Sequence, residues 1–311
     1  MSEPSYLSLY RTGEFEDRAE KALSLMEACC LCPRRCGVDR LNDETGYCRT
    51  SHQARVASYN AHFGEEAPLV GRHGSGTLFF SSCNLLCSFC QNFEISHLGD
   101  GIEVSPDQIA GMMIELMERG CHNINLVTPT HVMPQILEAL ELAVEKGLNI
   151  PLVYNSGGYE NVETLRLLDG IVDIYMPDFK FWENSWAERF CHAPDYPDAA
   201  RAAIREMHRQ VGDLVLDREG IAVRGLLIRH LVMPNGVAGT DAVMNFLTEE
   251  ISPDTYVNVM DQYRPCGQAD ADAAINRRLT SQEYREAVAA TKKAGLHRLD
   301  SRERPRIIFG F

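Results

Sequence analysis

The run Thr77-Leu78-Phe79-Phe80-Ser81-Ser82-Cys83-Asn84-Leu85-Leu86-Cys87-Ser88-Phe89-Cys90-Gln91-Asn92 joins a short apolar strand to a loop carrying three cysteines. Cys83, Cys87 and Cys90 are spaced C-x3-C-x2-C, with the aromatic Phe89 just before the third. Three thiolates can hold three irons of a four-iron cluster and leave the fourth open to a reactant. A cluster with four cysteine ligands is usually only an electron carrier. Zinc is the competing reading, but structural zinc sites are usually built from paired C-x2-C or C-x4-C elements, and no nearby pair completes this triplet.

Downstream of the loop the pattern alternates. Apolar spacing predicts helices over 106–118, 134–145 and 163–168, interleaved with strands over 123–127, 150–155 and 172–177. An insertion with helical stretches runs from about 182 to 211. A strand over 223–232, a helix over 242–249 and a strand over 256–260 follow, and a last helix spans 281–294 with Gly295 just past its end. With 77–80 this makes six strands separated by helices, the signature of parallel βαβ units. Such sheets place ligand sites at the C-terminal strand ends, whether open or closed into barrels. Residues 6–28 read as one amphipathic helix ahead of this body. There is no repeat and no low-complexity segment.

The 311 residues suffice for a sizeable core, and 45% hydrophobic with 24% charged residues is ordinary for a globular protein. A net charge of -14 argues against broad binding to nucleic acid or anionic membranes. The start Met1-Ser2-Glu3-Pro4-Ser5 lacks a basic region followed by an apolar core, and no apolar run approaches the ~20 residues that span a bilayer, so a cytoplasmic protein is expected. Eleven cysteines in that compartment read as metal or redox chemistry rather than disulfides. Cys121, Cys191 and Cys266 stand apart and read as small buried hydrophobes.

The triplet, with Phe89, resembles the signature of the radical S-adenosylmethionine superfamily, and the resemblance extends over about residues 74–264. It implies an α/β fold: a partial (β/α)6 barrel over 73–265, flanked by a Cys-rich N-terminal extension (1–72) and a helical C-terminal extension (266–311). It also implies a 4Fe–4S cluster on Cys83, Cys87 and Cys90, with S-adenosylmethionine as cofactor and Phe89 helping to exclude water. Asp178-Phe179-Lys180 is similar to the Asp-x-Lys motif of the pyruvate formate-lyase activating enzyme. By that resemblance Asp178 and Lys180 hold the methionine end of the cofactor. Asn155, Ser156, Met176 and Asp178 then lie where the activase has a monovalent cation site, with Asn155 in place of a carboxylate.

Where the superfamily often carries a Gly-Gly-Glu-like segment that binds the cofactor's amino group, this chain has Thr128-Pro129-Thr130-His131. Threonine hydroxyls and loop carbonyls can accept from an ammonium, so Thr128, Thr130 and His131 are cofactor candidates. Gly157-Gly158-Tyr159-Glu160 follows the third strand and reads as a turn. Arg229-His230-Leu231-Val232-Met233-Pro234-Asn235 and Gln262-Tyr263-Arg264-Pro265 lie at the last two strand ends. With His62-Phe63-Gly64-Glu65-Glu66, they resemble runs in a subgroup of activase-like proteins. Arg229 and Arg264 suit a cofactor or substrate carboxylate, with Gln262 beside them; a buried ion pair is the other reading of Arg229. His131 and His230 also read as hydrogen-bonding structural histidines.

A second cysteine group, Cys29-Cys30-Leu31-Cys32-Pro33-Arg34-Arg35-Cys36, is followed by Gly46-Tyr47-Cys48. Cys29, Cys32, Cys36 and Cys48 form one four-ligand choice, with Cys30 facing away. Zinc would make it a structural clasp, an iron–sulfur cluster an electron route or a substrate ligand, and free thiols are the third reading.

The function expected from the resemblance is reductive cleavage of S-adenosylmethionine to a 5′-deoxyadenosyl radical that takes hydrogen from a substrate. That substrate is a glycine of a partner glycyl radical enzyme, another peptide or a small metabolite. A low-potential donor of the flavodoxin or ferredoxin kind would supply the electron. An iron–sulfur electron carrier and a zinc-stabilised binding module are the readings from other classes.

Overall fold

A computed structural model describes residues 3–300. Helices α1 (Ser5–Thr12) and α2 (Glu14–Ser24) lead into the Cys-rich loop, then β1 (Ala54–His62), α3 (Ala67–Val70) and β2 (Ser75–Phe80). After the triplet come β3 (Ile102–Val104), α4 (Pro106–Glu118), β4 (Ile124–Val127), α5 (Met133–Glu145), β5 (Leu152–Ser156), α6 (Val162–Leu167) and β6 (Ile174–Pro177). The insertion is α7 (Asn184–Cys191) and α8 (Tyr196–Val211). The chain continues through β7 (Val215–Leu216), β8 (Ala222–Leu231), α9 (Thr240–Phe246), β9 (Tyr256–Met260), α10 (Ser281–Ala294) and β10 (Arg298–Leu299).

The six strands expected from the sequence are β2, β4, β5, β6, β8 and β9. They lie side by side in chain order, all parallel. Their local signals are physical. Ser105 and Gln108 close a capping box with Pro106 at the first turn of α4. Thr280 and Glu283 do the same for α10, which ends on Gly295 in the left-handed region. The cap of α10 is therefore Thr280, one residue before the expected start.

The single helix over 6–28 is corrected to two. Gly13, at φ 79°, ends α1 and starts α2, so the apolar stripe continues across a break in the backbone. The sequence pattern also missed β1, which pairs antiparallel with β2 (Val56 opposite Phe80, His62 opposite Ser75). Its Ala, Arg, Ser and Asn content gives no clean alternation. Residues before 73 and after 265 thus add β1 and β10 to the same sheet.

After β1 the chain crosses to the far side of the sheet. Glu65 comes within 3.8 Å of Arg229 on β8, and Glu66 accepts a 2.7 Å hydrogen bond from Asn258 on β9. Side chains from β2 (Phe79) and β9 (Met260), the first and last of the six parallel strands, line one cavity, so the sheet curls into a partial barrel. The C-terminal ends of the parallel strands share one rim, where Asp178 bridges to Arg229 beyond β6. Among the described residues no helix is long and apolar enough to cross a membrane.

Candidate active site

The barrel encloses a cavity of about 420 Å³ at this rim. Cys83, Cys87 and Cys90 all border it. Two non-glycine residues of the loop, Ser82 (φ 72°) and Leu86 (φ 52°), adopt left-handed backbone. Such strain is uncommon and clusters at functional loops. Phe89 also lines the cavity, and its ring packs edge-on against Phe181 at 5.8 Å. Asn84 anchors the loop through a 2.7 Å bond from its Nδ2 to the Tyr159 carbonyl.

The sulfurs are supplied with donors. The Leu85 N–H lies 3.3 Å from Cys83 Sγ, and Ser96 Oγ lies 3.2 Å from Cys90 Sγ. Hydrogen bonds to the sulfurs are among the features that tune an iron–sulfur cluster. Burial pushes the Cys83 thiol up to about 12, with the nearby Cys87 adding to it, and burial raises Cys90 as well. Cys87 is raised most by the Cys191 thiol, 3.4 Å from its sulfur, and then by burial. Lys180 opposes this at Cys87 and Cys90 by favouring their thiolates. A metal that binds here displaces the thiol protons.

Asp178 is clasped by two cations. Arg229 Nε donates to Oδ1 at 2.8 Å, and Lys180 Nζ to Oδ2. Burial works to raise Asp178, but Arg229 and Lys180 win and hold its carboxyl below the usual range. Glu66, deeper in the barrel, is raised by burial despite Arg229 nearby. Tyr196 of the insertion fixes this corner: its hydroxyl accepts from the Lys180 N–H at 2.9 Å and lies 3.0 Å from the Asp178 carbonyl. Gly158 (φ 78°) lets the adjacent loop come so close that a Cβ there would strike that same carbonyl.

Of the residues singled out from the sequence, Thr128, Asn155, Ser156, Asp178, Lys180, Arg229 and Gln262 line the cavity with Phe89 and the triplet. Met176, Thr130, His131 and Arg264 do not line it. Met176 is fully buried in the apolar packing of the barrel interior. Thr130 turns away to donate to Glu160 at 2.6 Å. His131 points its Nε2 to the Ser81 carbonyl at 2.8 Å, and Arg264 is exposed. His230 is a structural histidine, bonded through Nδ1 to the Phe179 carbonyl (2.8 Å) and through Nε2 to Thr240 (2.9 Å), and burial lowers it to about 4.

Sequence reasoning missed Cys191, which follows Cys87 by 104 positions and so forms no motif with it. It also missed Glu160, placed in a plain turn. Burial pushes Glu160 up to about 7, offset in part by bonds from Thr130, Ser156 and Tyr154. Its folded value lies above the ordinary 4.5, so its contribution to stability is complete below about pH 4.5 and is lost as pH rises to about 7. The span is worth about 3 kcal/mol. Glu160→Gln is expected to flatten that part of the stability–pH profile, read by urea unfolding between pH 5 and 8.

The second cysteine group forms its own small site. Cys29, Cys32, Cys36 and Cys48 line one cavity, and Cys30 does not. Among the described residues no two cysteines are joined in a disulfide.

Residues 77–217 match the Radical SAM superfamily. An uncharacterized protein of Methanocaldococcus jannaschii is 35% identical over 289 residues, covering 90% of this chain and 78% of its own length. The solved structure of HydG, a maturase of the FeFe-hydrogenase, has a TM-score of 0.48 at 14% identity, over 69% of this chain and 47% of that one. Methylornithine synthase (PylB) has a TM-score of 0.44 at 13% identity, over 69% and 60%. The chain thus spans about half to three-fifths of those two structures. It belongs to the radical SAM superfamily, whose members are enzymes that use a 4Fe–4S cluster and S-adenosylmethionine.

Proposed function

We propose that the chain holds its cluster on Cys83, Cys87 and Cys90 and takes hydrogen from a peptide segment of a partner protein, glycine being the residue attacked. The observation that carries the reading is the convergence of the three cysteines with Asp178, Lys180 and Arg229 on one cavity. The residues fit the group: three cysteines with N–H and O–H donors to two of the sulfurs, and a lysine that favours thiolate. When bound, the cluster and S-adenosylmethionine supply one-electron cleavage to methionine and a 5′-deoxyadenosyl radical.

The protein's part is to bind, orient and keep water out. Asp178 suits an ammonium and Arg229 a carboxylate, the two charged groups of the cofactor's methionine end. Lys180 and Arg229 in turn keep Asp178 ionised. Phe89, Leu231 and Met260 supply apolar wall. A cavity of about 420 Å³ is one that a single drug-sized ligand fills. S-adenosylmethionine is of that size, which leaves a substrate to reach in from the rim. A protruding peptide does so more readily than a whole second small molecule. The similarity of Asp178-Phe179-Lys180 to the activase motif supports the same choice.

The test uses cells grown on α-deuterated glycine. Their extract is split into protein and small-molecule fractions, and each is given to the reduced, cluster-loaded enzyme with S-adenosylmethionine. Deuterium in 5′-deoxyadenosine from the protein fraction alone is the expected result. Deuterium from the small-molecule fraction alone overturns the peptide reading.

A further inference from the structure

We infer that Cys29, Cys32, Cys36 and Cys48 hold a second four-iron cluster, with no open iron, rather than a zinc ion. The inference rests on the reading of the barrel cavity as a one-electron site. Its first support is the donor set. The four cysteines line one small cavity with Arg34, Arg40 and His131, and among the described residues no carboxylate lines it. Four thiolates suit zinc and a four-iron cluster alike, and the place of the site beside a one-electron centre favours iron.

The second support is charge. Arg40 is 1% exposed and lines this cavity. Its Nε and Nη2 donate to the Ser51 carbonyl at 3.1 and 2.8 Å, and its Nη1 lies 3.9 Å from Cys29 Sγ. Among the described residues no carboxylate pairs with it. A buried guanidinium is costly unless an anion balances it. Four thiolates on a cluster supply that negative charge beside it. Arg34, on the same wall, is also without a carboxylate partner among the described residues. It spends its donors on the carbonyls of Asn84 (3.1 Å), Cys191 (2.8 Å) and His192 while stacking over Tyr47 at 3.7 Å. His131 lines the cavity too, and its buried Nδ1 has no hydrogen-bond partner. The Tyr47 N–H lies 3.3 Å from Cys36 Sγ, and Gly46 leaves space that a Cβ could not share with the Cys36 side chain.

The position gives the cluster a use. Asn84 borders this cavity, and its chain neighbours Cys83 and Leu85 border the barrel cavity. One loop therefore forms a wall of both sites. A fully ligated cluster there is a redox centre that takes one electron from a low-potential donor and stands next to the site that consumes it.

The test is iron, sulfide and zinc content of anaerobically prepared full-length protein. The variant Cys83→Ala/Cys87→Ala/Cys90→Ala is expected to keep about four irons per chain, and wild type to hold about eight. After dithionite the triple variant is expected to show a reduced-cluster electron paramagnetic resonance signal that S-adenosylmethionine does not shift. Cys36→Ala in the wild-type background lowers iron by about half. Zinc in place of iron in the triple variant overturns the inference, as does a folded triple variant, by circular dichroism, with neither metal. If the triple variant does not fold, the wild-type count decides: about eight irons support the inference and about four overturn it. Failure of the barrel reading looks different, as iron in the triple variant with no 5′-deoxyadenosine from wild type.

Discussion

Cys87→Ala is expected to bring 5′-deoxyadenosine formation to background and to remove the iron bound at the barrel rim, while the fold survives. The side chain lies between the two parts of the site: its sulfur meets Cys191 at 3.4 Å and feels the charge of Lys180. Truncating one buried cysteine costs about 1 kcal/mol, a small fraction of a domain's stability. Losing one of three cluster ligands removes the redox centre. Far-ultraviolet circular dichroism, iron content and product analysis read the three parts separately. Cys191→Ala is the control, expected to retain both cluster and product because the triplet is intact. Iron that survives Cys87→Ala but disappears with Cys191→Ala contradicts the ligand assignment.

Asp178→Ala is expected to cost about 3–5 kcal/mol of stability and to weaken cofactor binding. In the native protein its carboxylate holds Lys180 and Arg229 at once, and both cations are largely buried. Its removal leaves two positive charges facing each other across the rim, with Glu65 within 3.8 Å of Arg229 as partial relief. Asp178→Asn keeps an acceptor but not the charge, and falls between wild type and alanine. Urea unfolding measures the first effect, and equilibrium binding of S-adenosylmethionine to cluster-loaded protein the second. An alanine variant as stable as wild type shows that the ion cluster is not what holds this rim together.

Much of the fold was legible because its signals are local. The six parallel strands announced themselves as apolar runs between amphipathic helices, and apolar spacing placed the starts of α4 and α10 directly after the residues that cap them, Ser105 and Thr280. What was illegible is what packing decides. β1 has no strand alternation of its own and is a strand because the β2 edge needs a partner. Gly13 broke a helix whose apolar stripe continued through it.

The site divides in the same way. The cysteine triplet and Asp178-Phe179-Lys180 lie within short runs, so spacing reveals them. Glu65 reaches Arg229 by crossing the barrel, and Cys191 meets Cys87 through the insertion, so neither contact leaves a trace in sequence spacing. The Thr128–His131 run divides between two sites because a strand-end loop has two sides. Thr128 faces the barrel cavity, while His131 faces the N-terminal cysteines.

The most direct measurement is product analysis of anaerobic, cluster-loaded protein after addition of dithionite and S-adenosylmethionine. Formation of methionine and 5′-deoxyadenosine in equal amounts, lost in each of Cys83→Ala, Cys87→Ala and Cys90→Ala, is the result expected of the site described. A protein that carries its cluster, is reduced by several donors and still forms no 5′-deoxyadenosine contradicts it and is an electron carrier instead.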